Sequence, residues 1–180
     1  MCEGWAYRFY RLPDGRRQIL SVLIPGDLFS AFDLLGPHPD FSVQAATDVK
    51  LCRLGSADIK RELSAAPDLL DEFGKLCCSE IDDMTSASID LARRDHGERI
   101  VGFVQRLIKR LAARGIMAGA GACPFPLSPT DIADATGLTP DDVSAALENL
   151  RADRIIDISN GVLTVLDPTR LAKQTATIAE

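Results

Sequence analysis

The chain has 180 residues, 46% of them hydrophobic and 26% charged, with a net charge of −6. These values describe a globular protein of one or two domains, and no apolar stretch approaches the roughly 20 residues that span a bilayer. Met1 is followed by Cys2, Glu3 and Gly4 rather than by a basic and then apolar run, so no signal peptide is read; a cytoplasmic protein with no membrane partner is expected.

The first residues read as β structure. Trp5 to Leu12 is rich in aromatic side chains, Pro13-Asp14-Gly15 signals a turn, and Arg16 to Ile24 resumes a strand-like run. Two strands around an Asp-Gly turn make a hairpin. Pro25-Gly26-Asp27 ends it. Leu28 to Leu35 is apolar and short, and the loop Gly36-Pro37-His38-Pro39-Asp40 holds two prolines. Ser42 to Ala46 and Val49 to Leu54 are read as two further short strands around Thr47-Asp48.

After Gly55 the period changes. Ser56-Ala57-Asp58-Ile59 looks like a helix start, and Pro67 opens a long amphipathic run. Leu70, Phe73, Cys77, Ile81, Met84, Ser88 and Leu91 recur at three- and four-residue steps, with a slip between Cys77 and Ile81. A helix this long needs something to lie against. A two-helix dimer seam through Phe73, Cys77, Ile81, Met84 and Leu91 is expected, the alternative being a core helix. Asp95 and Glu98 have the spacing of a capping box. Ile100, Phe103, Val104, Leu107, Ile108 and Leu111 then line one helical face. Gly115 to Gly121 reads as a linker.

Residues 126–166 carry the sharpest signal. Ser128-Pro129-Thr130-Asp131 and Thr139-Pro140-Asp141-Asp142 each supply a hydroxyl N-cap, a proline at the first helical position and a carboxylate at the third. Thr136-Gly137-Leu138 makes the turn between the two helices, with Gly137 suited to a left-handed C-cap. Ile155 to Ile158 and Val162 to Val165, joined by Ser159-Asn160-Gly161, form a hairpin. Two short helices followed by such a wing is a recurrent DNA-binding plan, with the second helix in the major groove. A helical protein-interaction module is the competing reading.

Charge divides unevenly. Residues 1–92 carry nine basic and fifteen acidic side chains, residues 93–125 seven and two, and residues 126–180 four and nine. The basic middle suits nucleic acid; the acidic C-terminal part opposes it. The five cysteines, Cys2, Cys52, Cys77, Cys78 and Cys123, are odd in number and lack C-x-x-C spacing, so unpaired thiols are expected and no metal site. His38 and His96 are the only histidines. Neither has a partnered nucleophile, and no enzymatic activity is expected.

The order of these pieces resembles the Crp/Fnr family over nearly the whole chain. Asp14-Gly15-Arg16-Arg17-Gln18-Ile19-Leu20, then Leu23-Ile24-Pro25-Gly26-Asp27-Leu28, look like that family's effector-sensing roll. Gln44-Ala45-Ala46-Thr47-Asp48-Val49 looks like the strands that follow the ligand-facing segment. The 67–92 helix is similar to the dimerisation helix, and Leu127 to Ile156 with Gly161 to Pro168 looks like the winged helix. The implied fold class is α+β: a partial antiparallel, cyclic-nucleotide-binding-like β-roll over 1–66, a dimerisation helix over 67–94, and a winged helix-turn-helix over 95–180. A roll of roughly eight strands is implied; residues 1–54 supply about half, and the rest would precede Met1.

The resemblance implies a DNA-binding transcription regulator, homodimeric and under effector control through the roll, with DNA, a second copy and RNA polymerase as partners. The alternative is a degenerate or truncated relative that dimerises or binds a protein without reading DNA. Ser30-Ala31-Phe32 stands where cyclic-nucleotide-binding members carry Gly-Glu-Leu, and Pro39 where they carry an arginine. Without a carboxylate for ribose and a guanidinium for phosphate, cyclic AMP is not expected to bind. Cys2 alone does not supply the clustered cysteines of the iron–sulfur branch. No cofactor is expected, and the effector is unassigned. The DNA-contacting set is Thr130, Thr139, Pro140, Asp141, Asp142, Ser144, Ala145, Arg151 and Arg154. Asp141 falls where the family has a glutamate, and Ala145 where it has a base-reading arginine.

Overall fold

The computed structural model describes residues 1–28 and 40–174. Ala31, His38 and Pro39, with the rest of the 29–39 segment, lie outside the described residues. Strands β1 (Ala6–Arg11) and β2 (Arg17–Leu23) pair antiparallel, with a bulge at Arg8/Phe9. Gly15, at φ +87°, turns the hairpin, and Leu12 and Arg16 close it with a 2.8 Å bond from Leu12 N to Arg16 O. β3 (Ser42–Ala45) adds to the other side of β1, giving the order β2-β1-β3.

The expected strand over Val49–Leu54 does not form. Only Lys50 pairs there, in an isolated bridge with Glu3, because residues 51–55 leave the sheet before the first helix. That bridge corrects a second expectation. By holding Cys2 and Glu3 against Lys50, it brings the Cα atoms of Cys2 and Cys52 within 6.3 Å, and the two form a disulfide. Cys77, Cys78 and Cys123 are free, and burial pushes the Cys123 thiol up.

Helix α1 (Ser56–Ala65) is followed directly by α2 (Pro67–Arg93). Ala66 between them is extended and offers no side-chain cap; Pro67 starts α2 at a position where its missing N–H costs nothing. Within its 27 residues α2 buries only Asp90. Helix α3 (His96–Ala113) begins with the Asp95–Glu98 capping box and buries Ile100, Val101, Gly102, Val104, Leu107 and Leu111.

The expected two-stranded wing has a third strand. β4 (Ala122–Pro124) pairs with β6 (Val162–Val165), which pairs with β5 (Ile156–Ser159), so the order is β4-β6-β5. A three-residue strand next to a glycine-rich segment has no periodicity to betray it. Helix α6 (Pro168–Lys173), capped by Asp167, follows and buries Leu171. One cluster of buried side chains runs from Trp5, Val22 and Ile24 of the roll through α3 to Val143, Ile155 and Leu163. The roll and the C-terminal module therefore share a core.

Candidate nucleic-acid interface

Helix α4 (Pro129–Thr136) and helix α5 (Pro140–Ala152) form the two-helix unit. Ser128 and Thr139 each accept a bond from the amide three residues on, and Asp131 and Asp142 each accept one from the backbone N–H of the cap residue, so both expected capping boxes exist. Gly137 is left-handed, at φ +67°, and donates its N–H to Ala133 O at 2.9 Å. Ile132 and Ala133 of α4, with Val143 and Leu150 of α5, are buried in the shared core.

That packing sets which side of α5 faces out. Pro140, Asp141, Ala145, Glu148, Asn149 and Arg151 are exposed, with Thr130 on α4 and Thr139 at the cap; Ser144 is half-buried. The Ser144 hydroxyl donates to Pro140 O at 2.9 Å and so is already used by the helix. Thr139 donates its hydroxyl to Asp142 at 2.7 Å, and these bonds, with His96 Nδ1 3.7 Å away, hold the Asp142 carboxyl below its ordinary range. Arg151 pairs with Asp157 of the wing at 2.8 Å. Arg154 is exposed at φ +55°, in the turn leading to β5. Asn149, outside the expected set, lies one turn beyond Ala145 on the same stripe. Its amide both donates and accepts, which suits a base edge; the i, i+4 spacing was the available signal.

The basic stretch 93–114 behaves differently from its composition. Arg106 pairs with Asp90, Arg94 Nε lies 2.8 Å from the same carboxylate, and Arg110 pairs with Asp27. Arg114 reaches Asp27 at 3.3 Å. Arg94 closes on its own helix, while Arg106, Arg110 and Arg114 bind α3 and its C-terminal end to α2 and the roll rather than forming an outward cationic face.

The seam residues divide. Phe73 and Cys77 are half-buried, while Ile81, Met84 and Leu91 are 57%, 46% and 37% exposed. All but Ile81 line a cavity of about 450 Å³ between β2, α2 and α3. Its apolar walls include Leu20, Leu28, Leu76 and Phe103. Its polar wall holds Arg8, which pairs with Glu80 and donates to Ser21 Oγ at 2.8 Å. Among the described residues, no group of three His, Cys, Asp or Glu side chains is placed to hold a metal ion, and no helix is long and apolar enough to cross a membrane.

A roll, a long helix and a winged helix-turn-helix with an exposed second helix are the parts of a DNA-binding transcription regulator. Comparison with known proteins gives the family. A Crp-like helix-turn-helix domain matches residues 98–174, and a cyclic nucleotide-binding domain matches residues 1–65. The chain is 34% identical over 169 residues to the nitrogen fixation regulation protein FixK of Bradyrhizobium diazoefficiens, covering 94% of this chain and 70% of that protein. It is 29% identical to the transcriptional activatory protein AadR of Rhodopseudomonas palustris, with the same two coverages. The crystal structure of FixK2 from Bradyrhizobium japonicum superposes with a TM-score of 0.78 at 26% identity, over 98% of this chain and 86% of that one. The chain belongs to the Crp/Fnr family of transcription regulators, a non-enzymatic class.

Proposed function

We propose that the chain binds DNA as a homodimer joined along α2, under the control of an effector held between the roll and that helix. The observation that carries the reading is α2 itself. Helices in proteins draw most of their stability from packing an amphipathic face, and α2, 27 residues long, buries one side chain. Taking the exposed Gly74 in place of Phe73 gives a seam of Leu70, Gly74, Cys77, Ile81, Met84, Ser88 and Leu91. These alternate at four- and three-residue steps without a slip, the spacing of a coiled coil. Burying an exposed Ile, Leu or Met side chain against a second copy contributes about 1.5–3 kcal/mol.

The cavity supports the effector reading. Cys77, Met84, Ser88 and Leu91 belong to both its lining and the seam, so a second α2 would close it. An occupant would touch the roll, the dimer helix and α3 together. Contact with RNA polymerase is inferred from the family alone.

On DNA, we read binding as weak. Asp141 and Glu148 face outward near phosphates, Ala145 offers no donor, and Arg151 is shared with Asp157. Few neutralised phosphates mean a shallow salt dependence. The test is fluorescence anisotropy against a random-site duplex pool at two salt concentrations. Ala145→Arg should tighten binding and favour guanine-containing half-sites by about 1–3 kcal/mol. If it does neither, α5 does not enter the major groove.

A further inference from the structure

Arg17, on β2, reaches across to the first helix of the DNA-binding unit. Its guanidinium lies 2.8 Å from Asp134 and 3.5 Å from Asp131, both on α4. It donates to the Tyr7 hydroxyl at 2.7 Å and to Gln44 Oε1 at 3.2 Å, and it stacks 5.3 Å from the Tyr7 ring centroid and 5.8 Å from that of Phe9. Beneath it, Tyr7, Phe9 and Ile19 are buried, with Ala135 of α4 packed against them. This is a half-buried fork satisfied on several sides rather than a fully exposed ion pair.

A second contact locates the same unit. The turn glycine Gly137 lies under Leu91 of α2, close enough that a Cβ there would be 3.2 Å from Leu91 Cδ2. α4 and α5 share buried residues, so whatever holds α4 also places α5. Beyond the core it shares with α3, the unit touches α2 at Leu91 and the roll at Arg17.

We propose that Arg17 is a specificity-determining positioning residue. By fixing α4 to the roll, it sets the distance between the two recognition helices, and with it the half-site separation that the protein accepts. The inference rests on the homodimeric DNA-binding reading above. Two helices must enter grooves one turn apart, about 34 Å. Without Arg17, α4 loses its ion pairs to the roll while the core with α3 remains, and the looser α4–α5 units tolerate several separations.

The experiment has two arms. In the first, amide hydrogen exchange of the full chain without DNA compares wild type with Arg17→Ala and Asp134→Asn; both should speed exchange in α4 and β2 while leaving the buried face of α3 protected. In the second, sequences selected from a random duplex pool are sorted by half-site separation. Wild type should concentrate on one separation. Arg17→Ala and Asp134→Asn should each cut that preference by about tenfold, and Arg17→Lys, which keeps the charge, should retain part of it. Unchanged exchange in α4, or a single separation retained by both variants, overturns the proposal alone. A wild-type pool with no paired half-sites overturns the homodimeric reading and this proposal with it.

Discussion

Gly102 on α3 leaves the space that the Asp90 carboxylate of α2 fills: a Cβ at Gly102 would lie 3.0 Å from Asp90 Cγ and 3.2 Å from its Oδ1. The same carboxylate is paired with Arg106. Asp90 is buried, so its charge is tolerable only because these partners surround it. The contact is where α2 is fastened to the helix-turn-helix half of the chain.

Gly102→Ala should therefore destabilise the protein. The gain in helix propensity is about 1 kcal/mol, but overpacking against a held carboxylate costs about 1–3 kcal/mol, and no exposed side-chain end is available to swing aside. Urea denaturation should show a lower midpoint. Gly74→Ala, whose Cβ would meet nothing within 4 Å in the protomer, is the control; a Gly102→Ala midpoint equal to the control's would show that the junction adapts.

The α2 seam makes two linked expectations. Ile81→Glu with Met84→Glu should give monomers by sedimentation at tens of micromolar, because charges buried at a packed seam cost several kcal/mol. A parallel pair would also set each Cys77 opposite its own counterpart, so oxidation by copper–phenanthroline and oxygen should join two thiols as a disulfide. The cross-linked band should survive Cys78→Ser and vanish with Cys77→Ser. A wild type that sediments as a monomer removes the seam.

Asp142 predicts a pH dependence. Bonds from Thr139, and then the nearby His96, hold its carboxyl below the ordinary 3.8. A depressed carboxylate contributes stability that is fully present above the ordinary value and lost as pH falls through the depressed one. Asp142→Ala should therefore lower the urea midpoint at pH 7, and the gap should close in acid below the ordinary value. A gap that persists at low pH would assign the effect to packing instead of to the cap.

Cyclic AMP should give no binding heat at micromolar concentrations in calorimetry, since Ala31 and Pro39 stand where a carboxylate and a guanidinium would be needed. A micromolar or tighter dissociation constant would mean that other groups hold the ribose and phosphate.

What could be read along the chain was local. The three capping boxes join residues three apart, the Asp14-Gly15 turn lies within one hairpin, and Gly137 ends α4 by its own left-handed backbone. Such features depend on neighbours in sequence, so residue type and spacing suffice, and their order was enough to suggest the family. On α5 the expected Pro140, Asp141, Ala145 and Arg151 are exposed, Asp142 and Ser144 are half-buried, and the exposed Asn149 lay outside the expected set.

Tertiary structure decided everything that joins distant residues. Cys2 and Cys52 are 50 residues apart and are paired by a bridge between Glu3 and Lys50. β4 exists only because β6 offers it an edge. The arginines of α3 read in sequence as a surface for phosphate, yet Arg106 and Arg110 end on Asp90 and Asp27, because α3 lies beneath α2 and the roll. Arg17 and Asp134, 117 residues apart, carry no mutual signal in one sequence. Local hydrogen bonds chose the helices and turns; the burial of α3 chose which charges meet, because a guanidinium leaving water must find acceptors for its N–H groups and a partner for its charge.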